Sequence, residues 1–163
     1  MRRFTTSIPL LVLSAALLAP WTSATGAPPT PVDPTPETFA AGTACAFAIE
    51  VVYEGKTGSV DLTHNPQFSG IVTAPDQRIT VTNASDPSKS VTVNATGAFR
   101  FVALPDGGLE IRAGGHNFLY GVPELGATAL ATTGPIVVQV VNGEIGGMDL
   151  SGARVRDLCK EIA

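Results

Sequence analysis

Ile136-Val137-Val138-Gln139-Val140-Val141-Asn142-Gly143-Glu144-Ile145-Gly146-Gly147-Met148-Asp149-Leu150 is the stretch that decides the fold class. An Asn-Gly pair supplies the positive φ angles of a tight turn, and between two apolar runs it is the strongest short-range sign of a β-hairpin. Counted outward from the turn, Ile145 falls on one face while Met148 and Leu150 fall on the other. One extra residue at Gly146-Gly147 would return all three to the same side, and glycine is the residue that such bulges favour.

The same period of two recurs upstream. Phe47, Ile49, Val51 and Tyr53 alternate with Ala48, Glu50 and Val52. Ile79 and Val81 are answered by Val91 and Val93 across the turn-rich Ala84-Ser85-Asp86-Pro87-Ser88, and Phe99, Phe101 and Ala103 by Leu109 and Ile111 across Pro105-Asp106-Gly107-Gly108. Alternation of this kind marks half-buried strands, and the intervening Pro, Gly, Asp and Ser clusters mark turns. No long helical period separates the strands, so sequential antiparallel pairing is expected. The fold class is all-β, an antiparallel sandwich or a closed meander barrel of eight or nine strands. Only the C-terminus changes period: Val155, Leu158, Cys159 and Ile162 recur at helical spacing, which predicts a short helix capped by Asp157.

The N-terminus has the layout of a secretory signal peptide: Arg2-Arg3, an uncharged apolar run from Ile8 to Pro20, then small and polar residues around Thr22-Ser23-Ala24. The run is shorter than the roughly 20 apolar residues that span a membrane. Cleavage is expected after Ala24, with Gly26 as the alternative, so that residues 1–24 are the leader and the mature chain keeps no membrane span. Residues 25–42 contain Ala27 to Thr38, with five prolines in twelve residues, and are expected to be an extended, disordered linker. The folded unit is then a single domain over 43–163. Loss of the leader leaves eight basic against fourteen acidic residues, a formal charge of −6 with no basic cluster to offset it, which argues against nucleic acid as a partner. In an oxidising compartment the two cysteines, Cys45 and Cys159, are most simply one disulfide tying both ends of the domain.

Cys45-Ala46-Phe47, the run Thr132-Thr133-Gly134-Pro135 into Ile136-Val137-Val138, and the ending Ser151-Gly152-Ala153-Arg154-Val155-Arg156-Asp157-Leu158-Cys159 carry a resemblance. From Cys45 to the end the chain resembles a group of short secreted proteins of high-GC Gram-positive bacteria. The resemblance implies a secreted β domain with one bridge, and it brings no functional residues to this sequence.

Chemistry-bearing motifs are sparse. His64 sits in Thr63-His64-Asn65-Pro66, a stretch that reads as a loop, and His116 follows the paired Gly114-Gly115, where a backbone can approach a ligand closely. Neither lies in a nucleophile elbow, phosphate loop or zinc-helix motif. Glu50, Glu54, Asp61, Asp106, Glu110 and Asp149 are spread singly, with neither calcium-loop spacing nor a recognisable pair for glycoside cleavage. No metal or cofactor is expected, and no catalytic residue is assigned. Trp21 leaves with the leader, so Phe118 and Tyr120, beside His116, are the best candidates for aromatic ligand contacts. Asn83-Ala84-Ser85 and Asn94-Ala95-Thr96 match the glycosylation pattern but read as hairpin-turn residues. The expected function is a secreted, non-catalytic module that binds a small apolar ligand or a surface component through His116, Phe118 and Tyr120. The alternatives are a structural or adhesive envelope protein, and an enzyme using His116 with a nearby carboxylate.

Overall fold

The alternating segments do form strands, but most of them run on through two sheets. The computed structural model describes residues 28–65, 68–121, 125–142 and 144–163. Two short strands come first, β1 (Thr30–Pro31) and β2 (Glu37–Phe39). Six long segments follow, each bent once and giving a strand on either side of its bend: β3 (Ile49–Glu54) into β4 (Lys56–Asn65), β5 (Phe68–Thr73) into β6 (Arg78–Asn83), and β7 (Asp86–Asn94) into β8 (Ala98–Ala103). The remaining three are β9 (Leu109–Gly114) into β10 (His116–Tyr120), β11 (Ala129–Thr133) into β12 (Ile136–Val141), and β13 (Glu144–Asp149) into β14 (Arg154–Asp157), before a one-turn helix α1 (Leu158–Glu161).

On one side of the bends the segments keep their chain order in a seven-stranded antiparallel sheet, β1-β4-β5-β8-β9-β12-β13. On the other side they part between β7 and β10 into a four-stranded sheet, β2-β3-β6-β7, and a three-stranded one, β10-β11-β14. The expected meander is therefore present but does not close: β1 and β13 are its two edges, so the barrel alternative is corrected. The strand number is also higher than eight or nine, because one bent segment yields two strands. His64 lies within β4 and not in a loop.

Crowding at the bends explains the glycines there. A Cβ on Gly97 would stand 2.6 Å from the His116 carbonyl oxygen and 2.8 Å from that of Gly114, and would overlap the side-chain oxygen of Asn117. Gly134 has φ +117°, and a Cβ there would meet the Gly152 carbonyl oxygen at 2.8 Å. Only glycine accepts both the backbone angle and the close approach.

The two smaller sheets share one core. Ile49, Val51, Ile79, Val81 and Val93 from the four-stranded sheet pack with Ala129 and Ala131 of β11 and with Leu158 and Ile162. Asp157 caps α1, its side chain accepting a hydrogen bond from the Lys160 amide, and the helix turns Leu158 and Ile162 inward. Val155, assigned to the helix by its spacing, instead lies on β14 and is 45% exposed. Cys159 is bonded to Cys45, with Cα atoms 5.6 Å apart. Among the described residues no helix is long and apolar enough to cross a membrane. The proline-rich stretch is extended but docked, since β1 pairs with β4 and β2 with β3.

The seven-stranded sheet has two unlike faces. Ladder partners share a face, and the register Phe101↔Ile111, Ile111↔Val138 and Val138↔Met148 places these four side chains together. The opposite face carries Arg100, Arg112, Val137 and Asp149 in one row. Gln139 pairs with Gly147 and Val140 with Ile145, so Gly146 is the extra residue of the expected bulge, and Ile145 joins Met148 on the apolar face.

Candidate functional site

His116 opens β10 just beyond the bend at Gly115, and the register brings it opposite Thr133, which in turn is opposite Arg154. Three strands thus present an imidazole, a hydroxyl and a guanidinium in one row on one face. The next row on that face is Phe118, Ala131 and Arg156. His116, Thr133, Arg154 and Arg156 border a groove of about 450 Å³ between the three-stranded sheet and β7, with Val93 and Ala131 lining it together with Thr92, Asn94 and Thr132.

The polar lining is rich in donors. His116 Nδ1 is 3.1 Å from Thr133 Oγ1, so the imidazole is oriented by a hydroxyl. Arg156 is committed to Glu161, which it meets through Nε at 3.1 Å and through Nη2 at 2.6 Å. That carboxylate holds the Arg156 guanidinium above its ordinary pKa. Arg154 pairs with no carboxylate among the described residues and is exposed at the groove. Among the described residues no Asp or Glu lines the groove. An uncommitted guanidinium beside an imidazole and hydroxyls is a donor set suited to a carboxylate or phosphate.

The remaining candidate residues have other work. Phe118 and Tyr120 belong to an aromatic cluster at the margin of the core: the Phe118 and Tyr120 ring centroids are 5.4 Å apart, Tyr120, itself 36% exposed, lies 4.7 Å from Phe39, and Tyr53 meets Phe118 edge-on at 6.5 Å. This cluster pins β2 and β3 to β10. Burial, followed by the hydrogen bond with Tyr120, pushes the Tyr53 phenol far above its usual range. His116 thus shares its face of β10 with Phe118 and Tyr120, but neither aromatic is among the residues that line the groove. Asn117, next along β10, is 1% exposed; its amide donates to Thr132 Oγ1 at 3.4 Å, while its side-chain oxygen accepts no bond.

The scattered acids serve locally. Glu110 pairs with Arg112 along its own strand, Asp106 accepts from the Gly108 amide at 3.1 Å, and Asp149 accepts from the Ser151 amide at 2.9 Å. Asn83, in the first glycosylation-like triplet, is 8% exposed and bonds the Ile162 carbonyl at 3.1 Å. The side chains of His64 and Asp61 lie outside the described residues. Among the described residues no group of three or more His, Cys, Asp or Glu is placed to hold a metal ion.

Arg154 and Thr133 are the members of the row that sequence reasoning missed. Arg154 and Arg156 read as part of a diluted, solvated basic patch. The available signal was their spacing of two, which on a strand puts both on one face. No protein-family model, curated protein or solved structure matches the chain.

Proposed function

We propose that the chain is a secreted, non-catalytic binding module, akin to the group of short secreted proteins it resembles, whose groove holds the carboxylate or phosphate of an extracellular ligand. The observation that carries this reading is the row His116, Thr133 and Arg154, with the Arg154 guanidinium uncommitted at the edge of the groove. Charge-assisted hydrogen bonds to such a guanidinium are worth roughly 1.5 to 3 kcal/mol each. Val93 and Ala131 supply an apolar surface for the body of the ligand. The expected small apolar ligand is thereby narrowed to one bearing an acidic group, because the interior between the two smaller sheets is filled by side chains. His116 bonds a hydroxyl, but among the described residues no carboxylate pairs with its ring to orient it as the base of an activated nucleophile, which favours binding over general-base catalysis.

Titration of the isotope-labelled mature protein with inorganic phosphate and with a hexuronate tests the reading. Amide shifts are expected at His116, Thr133 and Arg154, and Arg154→Ala should weaken binding about tenfold or more. Shifts confined to other strands, or an unchanged affinity in Arg154→Ala, would sink it. The alternative of a structural envelope protein is favoured by a different observation, the apolar face of the seven-stranded sheet.

A further inference from the structure

The apolar face of the seven-stranded sheet is an interaction surface, and we propose that a second copy of this chain covers it, face to face. The ladder puts Phe99, Leu109, Ile111, Val140, Ile145 and Met148 on this face. All six are half-buried, as a side chain is when shielded by its neighbours in the same sheet. Across β8, β9, β12 and β13 the register places no charged residue there; Arg100, Arg112, Glu110 and Asp149 are all on the reverse face. The other described strands and the helix are engaged elsewhere: β2, β3, β6, β7, β10, β11, β14 and α1 belong to the two packed sheets and their core. A half-buried apolar sheet face of this kind ordinarily packs on another sheet about 10 Å away.

Size and edges point to the second copy. Five strands, β5 to β13, of about six residues, at about 4.8 Å spacing and about 3.4 Å rise, present roughly 500 Å², so a two-fold pair covers roughly 1,000 Å², the lower bound for a specific interface. Joining by strand addition is hindered at β13 and at the start of β4, whose residues Lys56 and Thr57 are covered by β1. β1 ends in Pro31, which has no amide to donate, and β13 carries the Gly146 bulge between Glu144 and Asp149. The apolar rows and the area they offer point to pairing through the face, and a two-fold axis makes each apolar row meet its own copy. An anionic lipid surface is a poor occupant for a chain whose mature formal charge is −6.

Sedimentation velocity of the mature, disulfide-intact protein from about 1 to 200 μM tests this. The sedimenting mass should double over that range for the parent and for Gln139→Arg, on the reverse face, and Ile111→Arg should stay monomeric while keeping its bridge and its β circular dichroism. A parent monomeric at every concentration overturns the proposal. So does a dimer that survives Ile111→Arg, or a monomer that co-sediments with neutral phosphatidylcholine vesicles. Should Ile111→Arg fail to fold, peroxide oxidation of Met148 in the parent decides: a rate several-fold slower at the high concentration supports the pair, and a rate independent of concentration overturns it.

Discussion

The two halves of this molecule are built from the same six chain segments and are stabilised in different ways. On one side of the bends, two sheets bury Ile49, Val51 and Val81 to full exclusion of water, with Leu158 and Cys45 beside them. On the other, among the described residues a single sheet buries Ala113, Ile136 and Val138 and leaves Ile111, Val140 and Met148 half-covered. Alternation alone makes a strand, but a second layer is what converts the alternation into a core. The difference teaches that hydrophobic stabilisation here is unevenly distributed, and that the two-layer half holds the more shielded hydrogen bonds.

The largest expected effect breaks the two-layer half at its seam. The Cys45–Cys159 bridge spans 114 residues and ties the entry to β3 to the C-terminal helix. Closure of a loop of that length is worth roughly 4 to 5 kcal/mol in the chain-entropy model. The Cys45→Ser, Cys159→Ser double variant should lose about that much in urea unfolding, with earliest hydrogen exchange at α1 and β11, which the bridge holds down. Equal loss of protection in β9 and β12 would show that the halves unfold as one unit.

A matched pair of truncations sharpens the comparison directly. Ile49→Ala removes a fully buried side chain and should cost about 3 kcal/mol, within the range for buried isoleucine. Ile111→Ala removes the same atoms from a half-covered position and should cost about 1 kcal/mol in dilute solution, where the apolar face is uncovered. The difference should shrink at concentrations that populate the face-to-face pair. Equal costs in dilute solution would mean that the single sheet is as well packed as the double layer, and that its face needs no partner.

Most of the pairing was legible in the sequence, because hairpins are local. Ile79 and Val81 with Val93 and Val91, Phe101 with Ile111, the Gly146 bulge and the Asp157 cap follow from turn residues and parity within about twenty positions. The bends were not legible as bends. Nothing local marks Gly97 and Gly134, yet each is a point where a strand passes another backbone too closely for a Cβ. That is a property of distant partners. β11 was missed for a related reason: Ala129-Leu130-Ala131-Thr132-Thr133 has little contrast between its faces, and Ala129 through Thr132 are all buried. The site was half legible. His116 stood out by its glycines, but Arg154 reaches it only through β11, a contact across 38 positions that no local pattern encodes.

The smallest expected effect falls at the helix cap and depends on pH. Partial burial pushes Asp157 upward, but the Lys160 amide hydrogen bond and the Lys160 ammonium, 2.9 Å away, together outweigh it and hold the carboxyl below its ordinary value of 3.8. A carboxyl depressed in the folded state contributes stability that is present above its unfolded pKa and lost as pH falls through the folded one. Helix caps of this type are worth about 1 kcal/mol. Asp157→Asn keeps the side-chain acceptor without the titration, so it should cost a few tenths of a kcal/mol at neutral pH and flatten the fall in stability between about pH 5 and pH 2, measured by urea midpoint. Because Leu158 and Ile162 bury their side chains only while α1 is wound, the same variant should slow acid-induced exchange at α1 and leave β12 and β13 unchanged. A pH dependence shared equally by both halves would mean that the cap acts on the whole chain and not on the two-layer half alone.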